Sequence, residues 1–136
     1  MQMIEADDLG GMVEFKGWVS GSEKENLFQF TDVFVLPSYY EGSPVAVLEA
    51  MSYGLRVLAS DIPPNRQVSL PEEQFFAPGD VAAAAERIKV FSARDFSEEL
   101  RQRQIAYVTH HFDWNEVADQ TIAVYDAVLA TSTVTT

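Results

Sequence analysis

The sequence contains no cysteine, so disulfides and thiolate metal sites are excluded. Its two histidines, His110 and His111, are adjacent, and neighbouring side chains on a helix point about 100° apart, which disfavours a shared metal ion. Basic residues are also scarce, since 9 Lys and Arg face 21 Asp and Glu and leave a net charge of −12. Nucleic acids are bound by clustered Lys and Arg, so this balance predicts no nucleic-acid partner.

Long apolar runs are absent as well. No stretch approaches the ~20 apolar residues of a transmembrane helix, and the opening MQMIEADDLGG lacks the basic and apolar regions of a signal peptide. We therefore expect a cytoplasmic protein without a transmembrane segment. The sequence also lacks a G-x-G-x-x-G fingerprint and a P-loop, the two most recognisable phosphate-binding turns.

The sequence does contain an alternation of strand and helix signals joined by short connections. This pattern predicts right-handed βαβ units and a parallel sheet, and hence a doubly wound α/β fold. We expect one domain over residues 1–130 and a disordered tail over 131–136, TSTVTT. Strands are predicted at 12–19, 33–38, 56–60 and 74–77, and helices at 24–31, 43–54, 81–91, 96–110 and 114–130.

Two carboxylates lie in the segment YYEGSPVAVLEAMSYG, residues 39–54. Glu41 stands before the predicted helix, just beyond the strand 33–38, where ligands of open α/β sheets bind. The helix start, with the amide of Val45 and the hydroxyl of Ser43, would favour an anion such as phosphate. Glu49 lies among apolar residues of the helix, and a buried carboxylate is costly unless it is paired. A ribose diol would donate two hydrogen bonds to it.

The residues alone leave other interpretations open. Glu49 would equally well cap nearby backbone N–H groups or form an ion pair with Arg56 or Arg66. Glu41, in a loop beside a glycine, would fit an ordinary solvent-facing acid. The chemistry of the side chains therefore leads to a phosphate-bearing, hydroxyl-rich ligand and no further.

A resemblance extends this hypothesis. The segment VFVLPSYYEGSPVAVLEAMSYGLRVLASDI resembles the donor-binding segment of retaining GT-B glycosyltransferases of the family 4, group 1 type. The signature of that family is a Glu, seven residues and a second Glu, which here are Glu41 and Glu49. MVEFKGWVSGSEKENLFQFTD, FFAPGDVAAAAERI and FDWNEVADQTIAVYDAVL also resemble parts of the same domain. The resemblance covers nearly the whole chain and implies a partial Rossmann-like domain, the GT-B C-terminal one.

The resemblance implies a UDP- or GDP-sugar donor, a hydroxyl acceptor and no metal cofactor. It makes Glu41 the catalytic-site acid that contacts the donor sugar, and Glu49 the ligand of the ribose hydroxyls. For Trp18 a packed surface aromatic is an equally good interpretation. The diphosphate would meet Gly42, Ser43, Pro44 and Val45, and the nucleobase would lie near Gly17, Trp18 and Val19.

Departures from the family pattern lower the expected activity. Pro44 stands where many members have Gly, and the chain lacks the Gly-rich first βα unit with its basic residues and the N-terminal domain. We therefore expect weak donor binding and no catalysis by this chain alone, with the N-terminal domain or a partner chain completing the cleft. The alternatives are a non-catalytic orphan domain that acts as an interaction module and an unrelated doubly wound binding module. We also expect a homodimer through the strand edge at 13–16 or the helix at 114–130.

Overall fold

The computed structural model describes residues 9–132, without the side chain of Ser132, and divides the chain into two units that meet after Phe30. The first unit contains helix α1 (Gly21–Gln29). The predicted strand at 12–19 is wrong, since those residues form no strand. Met12, Phe15 and Trp18 are 80%, 67% and 94% exposed. The β-forming side chains thus bury no common face, and a strand without a paired neighbour leaves its backbone groups unsatisfied.

The second unit is built on a three-stranded parallel sheet in the order β1-β2-β3. Val33 pairs with Arg56 at one end of the β1–β2 ladder, and Leu36 pairs with Ala59 at the other. The three apolar residues of the central strand, Val57, Leu58 and Ala59, are 0% exposed, as expected for a strand covered on both faces. The parallel α/β class is confirmed. The strands are β1 (Val33–Leu36), β2 (Arg56–Ser60) and β3 (Phe75–Phe76).

The helices lie between and after these strands. α2 connects β1 to β2, contacts both strands and packs against α5, whereas α4 contacts all three strands. The segment 61–73, predicted as a loop, holds the short helix α3 and the start of a 3₁₀ helix. Every described side chain of α6 is exposed, and this helix includes Thr131, which the sequence assigned to the tail. The elements are α2 (Val45–Ser52), α3 (Pro63–Arg66), the 3₁₀ helix (Glu72–Gln74), α4 (Val81–Ala93), α5 (Glu98–His111) and α6 (Trp114–Ser132).

The core covers both faces of the sheet, and one cluster of it is centred on Leu58. Leu58, at the middle of β2, packs with Phe76 of β3 and Phe91 of α4. Because side chains alternate along a strand, Val57 and Ala59 point to the opposite face. Residues of β1 and α4 surround the cluster: Val33, Val35, Ala83, Ala84 and Val90.

The helix α2 ends at a glycine. Gly54 has a φ of +69°, the left-handed conformation that glycine adopts without strain. Its N–H donates to the carbonyl of Met51 at 2.9 Å, and the N–H of Leu55 donates to that of Ala50 at 3.0 Å. These two bonds form a Schellman motif. An ideal Cβ on Gly54 would clash with Cγ of Arg101, so glycine also permits the close approach of α5.

Two kinds of feature are absent from residues 9–132. No helix there is both long and apolar enough to cross a bilayer. Nor do His, Asp and Glu side chains in that range gather in a group of three or more that could hold a metal ion.

Candidate functional site

Three loops leave the carboxyl ends of the parallel strands. Residues 37–44 follow β1, and the segments 61–62 and 77–80 follow β2 and β3. The loops after β1 and β3 approach closely, since an ideal Cβ on Gly79 would lie 2.7 Å from the hydroxyl oxygen of Tyr39. This carboxyl edge is where ligands of open α/β sheets bind.

Glu41 lies in the loop after β1 and is half-buried. The hydroxyl of Ser38 donates to its Oε1 atom at 2.5 Å. A bond to a carboxylate is stronger than one between neutral groups, so the loop itself fixes the direction of this side chain. Ser38 was not among the predicted site residues. It directly precedes the two exposed tyrosines, Tyr39 and Tyr40, that come before Glu41 in the sequence.

Two fully buried polar side chains anchor this loop to β2. Ser60, the last residue of β2, donates from its hydroxyl to the carbonyl of Ser38 at 2.5 Å. Asn65 Nδ2 donates to the carbonyl of Ser60 at 2.9 Å and to its hydroxyl oxygen at 3.2 Å. Both side chains are 0% exposed; the bonds satisfy the Ser60 hydroxyl and Nδ2 of Asn65, whereas Oδ1 of Asn65 is buried without a partner among the described residues. The sequence signal for this anchor is a serine that follows three apolar residues at the end of β2.

The start of α2 differs from the prediction. The predicted helix begins at residue 43, whereas Pro44 is the N-cap residue and Val45 the first residue of the helix. The N–H of Val45 donates to the carbonyl of Ser43 at 2.9 Å, a three-residue turn that delays the start of the helix. The amide of Val45 was predicted to favour an anion, but in this structure it donates to the backbone. Gly42 and Ser43 are exposed, whereas Pro44 is buried.

Glu49 lies on α2 about one turn after its start and is half-buried. The two arginines considered as its ion-pair partners are engaged by other groups. Arg56 donates to the carbonyl oxygens of Asp32, Phe91 and Arg94. Arg66 donates to carboxylates elsewhere, as described next.

Arg66 is held between two carboxylates just beyond β2. Its guanidinium donates to Asp61 at 2.6 and 2.8 Å and to Glu72 at 2.5 and 2.9 Å. It also lies 4.2 Å from the ring centroid of Phe75. Hydrogen bonds from Arg66 lower the pKa of Asp61 and of Glu72 below their usual values, and the two carboxylates raise the pKa of Arg66.

This cluster predicts a pH-dependent contribution to stability. Both carboxyl pKa values are lowered by folding, so the contribution is present above the unfolded pKa of about 4 and is lost as the pH falls below it. We expect Arg66→Gln to lower the melting temperature at neutral pH, and the difference from wild type to shrink toward pH ~2, where only the contact with Phe75 remains. The effect is small and weakens with salt, because the groups are exposed.

The measurement is a series of thermal melts between neutral and acid pH, with Lys89→Gln as the control. Lys89 is exposed on α4 and carries the same charge. A difference for Arg66→Gln that stays constant with pH would contradict the assignment of the shifts to this cluster.

Three predicted site residues belong to the first unit. Gly17, Trp18 and Val19 precede α1, and Gly17 has a φ of +64°. Trp18 is 94% exposed, so its aromatic face is open to solvent.

Known proteins are similar to this chain in sequence and in architecture. The family described as Glycosyl transferases group 1 matches residues 1–111. The chain is 30% identical to O-antigen chain mannosyltransferase B of Escherichia coli over 129 residues, which are 91% of this chain and 32% of that protein. It is 33% identical to phosphatidyl-myo-inositol mannosyltransferase of Mycobacterium leprae over 128 residues, which are 88% of this chain and 33% of that protein.

A solved structure gives the same result for the fold. Sucrose-phosphate synthase from Thermosynechococcus elongatus superposes with a TM-score of 0.84 at 26% identity, over 96% of this chain and 33% of that one. The chain thus spans about a third of the length of the relatives it matches. Both its sequence and its parallel sheet show that it belongs to the group 1 glycosyltransferases and has the GT-B architecture.

Proposed function

We propose that this chain is the nucleotide-sugar donor-binding part of a retaining glycosyltransferase, which transfers a sugar from a UDP- or GDP-sugar to a hydroxyl acceptor. The observation that carries the proposal is the hydrogen bond from Ser38, which holds Glu41 in a half-buried loop beyond β1. Family membership supports glycosyl transfer as the reaction. Two relatives are named mannosyltransferases, which makes a mannose donor the first to test.

The two glutamates would bind the hydroxyl groups of the donor. Ser38 occupies Oε1 of Glu41 and leaves Oε2 to accept from a sugar hydroxyl. Glu49, one turn into α2, would accept from the two ribose hydroxyls. Trp18, with Gly17 and Val19, would lie near the nucleobase.

The diphosphate would lie at the start of α2, against Gly42, Ser43, Pro44 and Val45. The positive end of the helix favours an anion there without a metal ion. Val45 would have to release the Ser43 carbonyl to donate to a phosphate. Each absent charge-assisted contact removes roughly 1.5–3 kcal/mol, so we expect a dissociation constant of about 1 mM or weaker.

A second candidate function is a non-catalytic module that binds a nucleotide or a partner without transferring a sugar. Arg66 favours this alternative, because its charge is already balanced by Asp61 and Glu72. A cation held in this way is a poor counter-charge for a leaving diphosphate.

The test is an amide NMR titration with GDP-mannose, a UDP-sugar, and the nucleotides GDP and UDP. We expect shifts in the loop 38–44 and the first turn of α2, with affinity in the millimolar range. Glu49→Gln should weaken nucleotide and donor alike by about tenfold, because it loses a charged acceptor for the ribose. Glu86→Gln, an exposed glutamate of α4, should leave binding unchanged.

Thermal melts separate this role of Glu49 from a structural one. If the carboxylate serves the ribose, Glu49→Gln leaves the melting temperature unchanged or raises it. A fall of more than about 5 °C, which corresponds to ~1 kcal/mol in a domain of this size, would mark Glu49 as a structural carboxylate. Shifts confined to other regions in the titration would refute the site itself.

A further inference from the structure

A pocket of about 420 Å³ lies at the opposite end of the sheet from Glu41. It is lined by α2, the start of β2, residues 69–74, the end of α4 with the loop after it, and α5. Arg56, the first residue of β2, forms part of its wall, whereas Ser60, the last residue, anchors the loop of Glu41. This amino-end pocket is therefore distinct from the proposed donor site, and its volume is typical of small-molecule sites.

Three arginines line the amino-end pocket: Arg56, Arg94 and Arg103. That is a third of the 9 basic residues of a chain whose net charge is −12. Arg56 has a structural role, since it donates to the carbonyls of Asp32, Phe91 and Arg94. Over residues 9–132, Arg94 and Arg103 form no ion pair with any carboxylate. Their guanidinium groups are therefore available to a ligand.

The rest of the lining combines a hydrogen-bond donor with apolar surface. The hydroxyl of Tyr107 accepts from the N–H of Ser69 at 3.2 Å, so its own hydrogen remains to be donated. Phe91, Phe96 and Leu100 supply apolar walls, and Leu100 is 49% exposed. Guanidinium groups bind phosphate or carboxylate through two parallel hydrogen bonds.

Two carboxylates, Glu73 and Asp95, also line the pocket and would favour a cationic ligand. The three guanidinium groups still leave the lining with a net positive charge, and Arg94, Arg103 and Tyr107 remain as donors because Arg56 is engaged by carbonyl oxygens. The pocket lining therefore offers more hydrogen-bond donors to an anionic ligand than acceptors to a cationic one.

We propose that the amino-end pocket binds a small organic anion, with one phosphate or carboxylate group on an apolar, aromatic-sized body. Arg94 and Arg103 bind the charged group, Tyr107 donates to it, and Phe96 and Leu100 contact the body. This site needs neither a donor sugar nor the residues at the carboxyl edge.

The experiment is an amide NMR titration of the 136-residue chain with phenyl phosphate and with benzoate, whose comparison distinguishes the two charged groups. We expect saturable shifts at residues 69–74, 94–96 and 100–107 for at least one of them. Benzyl alcohol, which has the body without the charge, and inorganic phosphate, which has the charge without the body, should each bind about tenfold more weakly or worse. Arg103→Gln and Arg94→Gln should each weaken the anion by about tenfold or more, while Lys89→Gln leaves it unchanged.

Three results would overturn the proposal. Benzylamine binding as tightly as the anions would show that Glu73 and Asp95 dominate the pocket. Shifts in the loop 38–44 instead of the pocket would assign the anion to the donor edge. No saturable shift with either anion at about 10 mM, a concentration that populates even weak sites, would leave the pocket without this ligand class. All of these outcomes are independent of whether a nucleotide sugar binds.

Discussion

Incubated with UDP- and GDP-sugars, the 136-residue chain is expected to release nucleotide diphosphate no faster than the uncatalysed background. Enzymes generally turn over at about 1–10³ s⁻¹, so this is the largest effect that we predict. The expectation concerns this chain by itself, which spans about a third of the length of its relatives.

The physical reason lies at the start of α2. When a nucleoside diphosphate leaves, negative charge develops on it, and hydrogen-bond donors already in place must stabilise that charge. Here the Val45 amide is engaged by Ser43, Pro44 has no amide hydrogen, and Arg66 is balanced by Asp61 and Glu72. The helix end alone remains, and a donor bound so weakly is seldom held in a reactive geometry.

The assay measures released GDP and UDP over hours, with and without simple hydroxyl acceptors, beside a full-length member of the family as the positive control. Turnover at about 1 s⁻¹ or faster would contradict the prediction. It would mean that the chain supplies its own counter-charge, and Arg66→Gln would then identify whether Arg66 leaves its carboxylates to provide it.

The part of the fold that could be predicted from the sequence is the part where local signals and burial agree. β1 is the apolar run Val33–Leu36, β2 has three apolar residues between Arg56 and Ser60, and α2 ends just before Gly54. β3 is shorter than predicted, with Phe75 and Phe76 alone in the ladder. In each of these elements the side chains and the neighbouring strands favour the same conformation.

The strand predicted at 12–19 failed for the opposite reason. Its side chains favour a strand, but strand formation depends on a neighbour that supplies backbone partners and covers one face. The strand propensity of the side chains reports only that they suit a strand. It carries no information about whether a neighbouring strand is present. The exposure of Phe15 and Trp18 shows that this second requirement, a covering neighbour, is not met within the described residues.

The residues of the candidate site also differ in whether the sequence alone predicts them. Glu41 and Glu49 could be found from their spacing and from the apolar surroundings of the second. Ser60 and Asn65 could not, because their roles depend on contacts across the chain: Ser60 reaches Ser38, 22 residues earlier. A polar residue that ends a buried strand gives a signal for such an anchor, but the sequence does not identify its partner.

Leu58→Ala is the second variant with a large expected effect. Leu58 is 0% exposed at the centre of β2 and packs against Phe76 and Phe91. Removing a buried leucine side chain costs about 2–5 kcal/mol, because apolar contact is lost and a cavity remains. In a domain of this size we expect the melting temperature to fall by about 10 °C or more.

The matched control is Leu129→Ala, the same substitution at a residue of α6 that is 66% exposed. It should change the melting temperature by no more than about 2 °C, as surface substitutions usually do. β2 carries Arg56 at one end and Ser60 at the other, so loosening its centre should weaken both the amino-end pocket and the anchor of the Glu41 loop. Amide exchange at Ser38 and Tyr107 in Leu58→Ala checks this coupling. Equal melting shifts for the two leucine variants would show that the three-stranded sheet is not the structural support of these sites.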